Sequence, residues 1–543
     1  MAKRKRPASH EDAPDTNGGA AKTQRIEDKN DNVNVVSQST TNIKSIINKT
    51  AGGVPGLATT NGGAEQASSS DAKNDVEPPP AVNGTEASTA APSSSTPPSL
   101  PQTVQTVQII TGSYEAILHG ITATISPWSE AQVEFSDTFL FKAHASAIRC
   151  LGLSPLPDPD SDSPQGIYLA TGSSDERVNV YSLSASPLPQ DDRLPRLPTL
   201  RMAKLRENPG NRELGNMVQH SAPITSLYFP SRSKLLSASE DNTIAVTRTR
   251  DLEVVSSIKA PRPKLQGQPA GDTAPPGMTP MGVNDFAVHP SMKLMLTVGK
   301  GEKCMRLWNL VTGKKAGVLN FDRKMLEAIK EGKYSSGEGR KIEWDGQGRR
   351  FAVAFERGAL VFGEDSRVHC KISLWPTKLC QMRWVPLERG QEALAVSTED
   401  GRLIFLDVAH TRSDEGEDVA QAAVLGQLGG KEAGERGRIK DFEILTWPED
   451  HAGAIAITAG SDGAVKIWAL PFEGLAKADD QQAAQVGKLL GTYETGNRIT
   501  CLRAFVMQPP REEDEGGLSE FEGLTSAAEE SSESEEEEKE GNN

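Results

Sequence analysis

Two histidine–aspartate pairs are the residues best equipped for chemistry. His144 stands in Lys-Ala-His and His220 in Gln-His-Ser, with Asp175 and Asp241 following in later turns. A carboxylate that holds an imidazole fixes its tautomer, and an imidazole titrates near neutrality, so such a pair can move protons. Acid–base work also needs a nucleophile or a polarising group, and none recurs beside these pairs. The chain has no phosphate-cradling glycine loop, no zinc-ligand spacing and no nucleophile elbow; Gly299-Lys-Gly301 lacks the helix that a phosphate loop needs. The five cysteines (Cys150, Cys304, Cys370, Cys380 and Cys501) stand singly, without a Cys-x-x-Cys pair. They read as small hydrophobes in a reducing compartment, outside any disulfide framework. The His/Asp pairs recur with a repeated pattern and therefore read as structural. No enzyme, cofactor, metal site or small-molecule substrate is expected.

The pattern that carries them is a seven-fold repeat. Thr-Gly-Ser-Ser-Asp-Glu at 171–176 precedes alternating Val178 and Val180, and Thr-Ala-Gly-Ser-Asp-Gly at 458–463 precedes Val465, Ile467 and Trp468. Similar turns begin at 111, 237, 297, 354 and 397, so the seven starts lie 43 to 66 residues apart. A WD40 blade of four strands needs about 40–45 residues, and the excess falls in Pro-, Gly- or charge-rich loops at 184–212, 261–281 and 408–437. Each turn reads as the hairpin between two strands. Trp308 and Trp468 occupy one corresponding position, held elsewhere by Tyr181, Thr247 and Leu406, and read as packing between blades. The turn at 354–358 has neither a preceding His nor an Asp, which makes it the weakest copy.

A further strand precedes most of these turns, at 146–153, 223–229, 282–288, 340–344, 379–385 and 438–445. The turn at 111–115 has none before it, while the strand-like 498–505 has no turn after it. The two halves complete each other. The expected fold is all-β: a seven-bladed WD40 β-propeller over 105–508, closed by N-terminal strands plus one C-terminal strand.

The flanks differ in composition. Residues 1–104 are rich in Ser, Thr, Ala, Asn, Gly and Pro, and read as a disordered arm. The arm opens with Lys3, Arg4, Lys5 and Arg6 before Pro7, a compact basic cluster that fits a nuclear import signal and no secretory leader. Residues 509–543 read as a disordered acidic tail, and 511–543 hold fourteen acidic and two basic side chains. Most of the formal charge of -15 sits there, leaving the propeller near neutral. No apolar run approaches the ~18–20 residues that span a bilayer, so a soluble intracellular protein without membrane contact is expected.

Some of these segments point to a family. Gly-Ser-Tyr-Glu (112–115), Phe-Lys-Ala-His (141–144), Ala-Ile-Arg-Cys-Leu (147–151) and Thr-Gly-Ser-Ser-Asp-Glu-Arg-Val-Asn-Val-Tyr (171–181) follow in order. The series resembles the maintenance-of-killer-type WD-repeat proteins of fungi, whose animal relatives are PAK-interacting or PAK-inhibitor proteins. The likeness continues through His220-Ser-Ala-Pro-Ile-Thr-Ser-Leu227, Val288-His-Pro290, Leu307-Trp-Asn-Leu310 and the closing Asn497-Arg-Ile-Thr-Cys-Leu502. The arm and tail lie outside it, and animal members carry a basic tail.

The resemblance implies a nuclear and nucleolar scaffold for assembling the large (60S) ribosomal subunit. Its partners would be the pre-60S particle with its assembly factors or ribosomal proteins. A second reading is a signalling scaffold that binds and restrains a PAK-type protein kinase. A near-neutral propeller offers no basic stripe, so protein partners are expected ahead of direct rRNA contact. Replacing Lys3, Arg4, Lys5 and Arg6 by Ala should lower nuclear accumulation, scored by fluorescence microscopy, and leave the melting curve unchanged. Undiminished nuclear entry would move the signal elsewhere.

Overall fold

The computed structural model describes residues 104–509 except 127–132, 158–165, 189–206, 264–278, 333–334, 375, 388–389, 413–417, 434–436, 448–452 and 476–483. The basic cluster Lys3–Arg6, the rest of the N-terminal arm and the acidic tail lie outside the described residues.

Twenty-eight strands, β1 to β28 in chain order, run through the described residues. They form five four-stranded sheets and one of eight strands. The eight-stranded sheet is two sets of four joined at a single parallel pair, Lys371 with Gln421. Seven antiparallel blades result. Blade 1 has the order β28-β1-β2-β3 (Ile499–Val506, Gln105–Ser113, Ile117–Ile125, Val133–Lys142); blades 2 to 7 take four consecutive strands each. The innermost strands are β28, β4 (Ile148–Leu153), β8 (Ile224–Ser231), β12 (Val283–Val288), β16 (Lys341–Trp344), β20 (Leu379–Pro386) and β24 (Ile439–Thr446). Each touches the next, and β24 touches β28, so the ring closes around a channel.

Sequence character follows a strand's place in its blade. The second strand of blade 7, Gly453–Gly460, is buried at every position because blades cover both its faces, and it reads as a continuous small apolar run. The outermost strand of blade 3, Glu253–Lys259, is exposed except at Ile258. Apolar side chains gather between blades: Leu236, Ile244 and Ile258 of blade 3 meet Met295 and Trp308 of blade 4 in one cluster.

The repeated turns also share a backbone requirement. Six of the seven place one residue at positive φ: Ala116, Glu176, Asn242, Gly301, Gly401 and Gly463. Gly463 is the most constrained, since a Cβ there would lie 2.7 Å from the Asn497 carbonyl oxygen. The turn at 355–357 has no such residue and closes through a bond from the Phe355 N–H to the Gly358 carbonyl. That geometry accounts for its divergent sequence, and blade 5 is intact around it.

One stretch departs from the sequence reading. The loop expected over 408–437 contains the end of β22 (Arg402–Arg412) and all of β23 (Gln421–Gly429). As the outermost strand of blade 6, β23 pairs along its length with β22 and with other segments only at single bridges, to Lys371 and Gln485, and its positions largely alternate between buried and half-buried, so Gly, Gln and charged neighbours do not mark it out as a strand.

Closure joins the two ends of the propeller. β28 pairs with β1 from Val107↔Val506 to Ser113↔Ile499. Thr500 Oγ1 donates to the Gly112 carbonyl in blade 1 and lies 2.6 Å from the Ile148 carbonyl of blade 2. The Gln508 N–H reaches the Ala185 carbonyl, and Arg498 lies over the Tyr114 ring. Deleting 498–507 would expose two sheet edges and open the ring. The variant should lose cooperative thermal melting and aggregate; circular dichroism showing a wild-type transition would overturn the closure.

Candidate functional site

The histidine–aspartate pairs come together as buried braces. His144 Nδ1 lies 3.1 Å from Asp175 Oδ2, and Nε2 lies 2.7 Å from Thr171 Oγ1. Asp175 also accepts the backbone N–H groups of Ala145 and Arg177. Burial lowers the His144 pKa, and Asp175 only partly opposes that, so the imidazole stays neutral, donating from Nδ1 to Asp175 and accepting the Thr171 hydroxyl at Nε2. His220 repeats the arrangement with Asp241 at 3.1 Å and Ser237 Oγ at 2.8 Å. Burial would raise the Asp241 carboxyl, yet hydrogen bonds from His220 and Thr243 hold it at about 2. Each brace ties the loop entering a blade to that blade's central hairpin.

The tryptophans use the same hydroxyl slot in other blades. Trp308 Nε1 donates to Thr297 Oγ1 at 2.9 Å and Trp468 Nε1 to Thr458 Oγ1 at 3.2 Å. Both rings are buried between blades, as their spacing predicts. Histidine fills the slot in blades 2 and 3 and tryptophan in blades 4 and 7. All six residues singled out in the blades are taken up in contacts within the fold, and the exposed candidate site lies elsewhere.

It lies in the channel. Most inner strands carry a β-bulge near their start, as at Ile439/Asp441 and Leu379/Gln381, which re-aims the following side chains. The charged groups on blades 5, 6, 7 and 1 meet there. Arg383 Nη2 lies 3.2 Å from Asp441 Oδ1, and Arg503 Nη1 lies 3.4 Å from Asp441 Oδ2. Asp441 also accepts the Leu502 N–H at 3.0 Å. Burial would raise this carboxyl; Arg383 and Arg503 outweigh it and keep the group ionised. Both arginines also reach Glu443 at 3.7 Å. Glu343 is the exception. Burial pushes it up to about 8, and the attraction of Arg383 is opposed by Asp285 and Glu443. Its Oε2 is shielded from water and has no hydrogen-bond partner among the described residues.

At the end where the inner strands begin, the channel opens into a funnel of about 460 Å³. Arg149, Arg340, Lys341, Lys378, Arg438, Lys440 and Arg503 line it, with Glu399 and Asp441 as its only carboxylates among the described residues. Nearby acids are already shared. Glu240 pairs with Arg149 and Lys300, Glu356 with Arg340 and Lys378, and Glu399 with Arg438. Lys440 has no carboxylate partner among the described residues; burial and then Arg438 depress its pKa. The near-neutral total thus conceals a concentrated cationic site, contrary to the absence of a basic patch inferred from composition. Its members flank the first buried residue of different inner strands: Arg149 follows Ile148, Lys341 precedes Ile342, Lys378 precedes Leu379, and Arg438 and Lys440 flank Ile439. Only the recurrence of a cation at that register hints at it in the sequence.

This architecture defines the protein class, a WD40-type β-propeller, and the WD domain, G-beta repeat family matches residues 211–246. Individual relatives agree with the resemblance seen in the sequence. The chain is 26% identical to Protein MAK11 of Saccharomyces cerevisiae, over 73% of this chain and 82% of the yeast protein. It is 23% identical to the p21-activated protein kinase-interacting protein 1-like of Gallus gallus, over 74% of this chain and 81% of that protein. The Shk1 kinase-binding protein 15 of Schizosaccharomyces pombe is 24% identical over 75% of this chain and 88% of its own length.

Glu343 generates a pH prediction. Its carboxyl ionises near 4.5 when unfolded and about 8 when folded, so between these values the native state holds the extra proton. Stability contributed by the neutral form is present below 4.5 and is lost as pH rises toward 8. Glu343→Gln should remove this slope. Thermal melts of the two proteins should coincide near pH 4.5 and diverge upward. At pH 8 the variant should be more stable by on the order of 1–3 kcal/mol. Parallel melting profiles across this range would refute the assignment.

Proposed function

We propose that this chain is a non-enzymatic scaffold for assembly of the large (60S) ribosomal subunit, acting in the nucleus and nucleolus on pre-60S particles through their assembly factors or ribosomal proteins. The observation that carries the reading is the similarity to the yeast MAK11 protein, which covers 73% of this chain and 82% of that relative. It agrees with the maintenance-of-killer-type resemblance in the opening Gly-Ser-Tyr-Glu and the closing strand, and that resemblance implies the ribosomal role. A closed propeller supports scaffolding physically, because a rigid ring presents loops from seven blades to several partners at once. The Lys3–Arg6 cluster supports nuclear entry.

The second reading, a scaffold that binds and restrains a PAK-type kinase, draws on two relatives whose names describe binding to or interaction with a kinase. Depletion separates the two. An assembly factor should, when depleted, lower large subunits while small subunits persist, and the tagged protein should sediment with large-subunit precursors on sucrose gradients. A 105–508 propeller carrying an added import signal should still join the particle. Unchanged subunit ratios after depletion, with a kinase recovered on the tagged protein, would favour the signalling scaffold.

A further inference from the structure

We propose that the cationic funnel at the channel mouth is a binding site for a short, carboxylate-rich segment of a partner protein, anchored on Lys440. This inference does not depend on whether the partner belongs to a pre-ribosomal particle or a kinase pathway.

Three features of the funnel carry it. The first is charge without compensation. Lys440 is half-buried beside Arg438, with no carboxylate partner among the described residues. Cations withdrawn from bulk water are costly unless an anion faces them. An incoming carboxylate at Lys440 would relieve repulsion that the fold itself leaves in place. Arg503, shared with Asp441 and Glu443, lines the same cavity from the neighbouring strand and adds to the positive field there.

The second feature is shape. At about 460 Å³ the funnel falls within the size range of pockets that enclose small ligands, roughly 300–1,000 Å³. It admits a few side chains of one extended strand. Its cations converge on a hole and do not run in a stripe.

The third feature separates a peptide from a nucleic acid. None of the described lining residues is aromatic, so a single strand of RNA finds no ring on which to stack its bases. Glu240, Glu356 and Glu399 interrupt the positive rim. A phosphate backbone, charged at every nucleotide, would have to cross them, whereas a peptide can place a carboxylate at Lys440 alone, with Lys341 and Arg503, already shared with Asp285, Asp441 and Glu443, adding only to the positive field.

The test uses full-length protein and fluorescence anisotropy with a labelled Glu/Ser peptide, titrated from low to physiological salt. A second full-length version, with every Glu and Asp of 511–543 replaced by Gln or Asn, removes competition from the chain's own acidic tail. Saturable binding that weakens with salt is expected, at least as tight in the tail-neutralised protein. Lys440→Glu should lower affinity roughly tenfold or more, and Lys440→Arg should retain it. Lys488→Glu, on the exposed outer strand of blade 7, makes the same change in net charge and should have little effect. Should Lys440→Glu fail to melt like wild type, Lys341→Ala provides the second variant and should also weaken binding. No binding to either version of the protein, or equal losses from Lys440→Glu and Lys488→Glu, would overturn the site. An unlabelled single-stranded RNA that bound more tightly than the peptide, and was lost in the same variants, would overturn the choice of ligand.

Discussion

The structure depends on one pairing, that of β28 with β1. Thr500 and Gly112 lie 388 residues apart in the chain and are hydrogen-bonded neighbours in blade 1. An open series of blades would end in two unpaired edges, each offering a row of free backbone donors and acceptors. Pairing the ends removes both edges. The entropic cost of closing so long a loop grows only logarithmically, by about 0.6 kcal/mol for each doubling of length. The return is a full ladder of backbone bonds and burial of Ile499, Leu502 and Phe505 between neighbouring blades. Blade 1 consequently holds together elements from both ends of the folded region.

With the ring closed, each blade needs a way to hold its entry loop and hairpin, and the blades solve this differently. The hydroxyl of Thr171 or Ser237 faces a histidine, while that of Thr297 or Thr458 faces an indole N–H. In either case a buried hydroxyl has a partner, which is the physical requirement. Because that requirement can be met by more than one side chain, no blade keeps the full repeat signature, and blade 5 dispenses with both the His and the Asp. The burial between blades remains constant while the polar connections vary.

The same closure creates the channel and its electrostatics. Asp441, Arg383 and Arg503 come from three adjacent inner strands and neutralise one another where water has limited access. Glu343 does not gain an equivalent share, and burial therefore favours its neutral form. At the mouth the balance tips toward positive charge, because five cations divide three rim carboxylates and Lys440 has none among the described residues. Buried charge of one sign can favour recognition over stability, since a partner's opposite charge fits it better than water does.

Much of this was legible in the sequence by itself. Repeated turns, alternating strands and the complementary ends at 111–115 and 498–505 determined the all-β class, the seven blades and the manner of closure, because strand periodicity and turn chemistry are local properties of the chain. Recurrence at fixed places in the repeat marked His144, Asp175, His220, Asp241, Trp308 and Trp468 as residues to be bonded inside the blades, and each is so bonded. The strand at 421–429 was hidden, since an outer strand whose alternate positions are only half-buried carries no compulsory apolar pattern. The cationic funnel was hidden for a different reason. Arg149, Lys341, Lys378, Arg438, Lys440 and Arg503 are scattered over some 350 residues among acids that make the sum near zero, and charge acts through distance in space. Only the ring, by bringing the start of every inner strand to one opening, decided which of those charges would be neighbours.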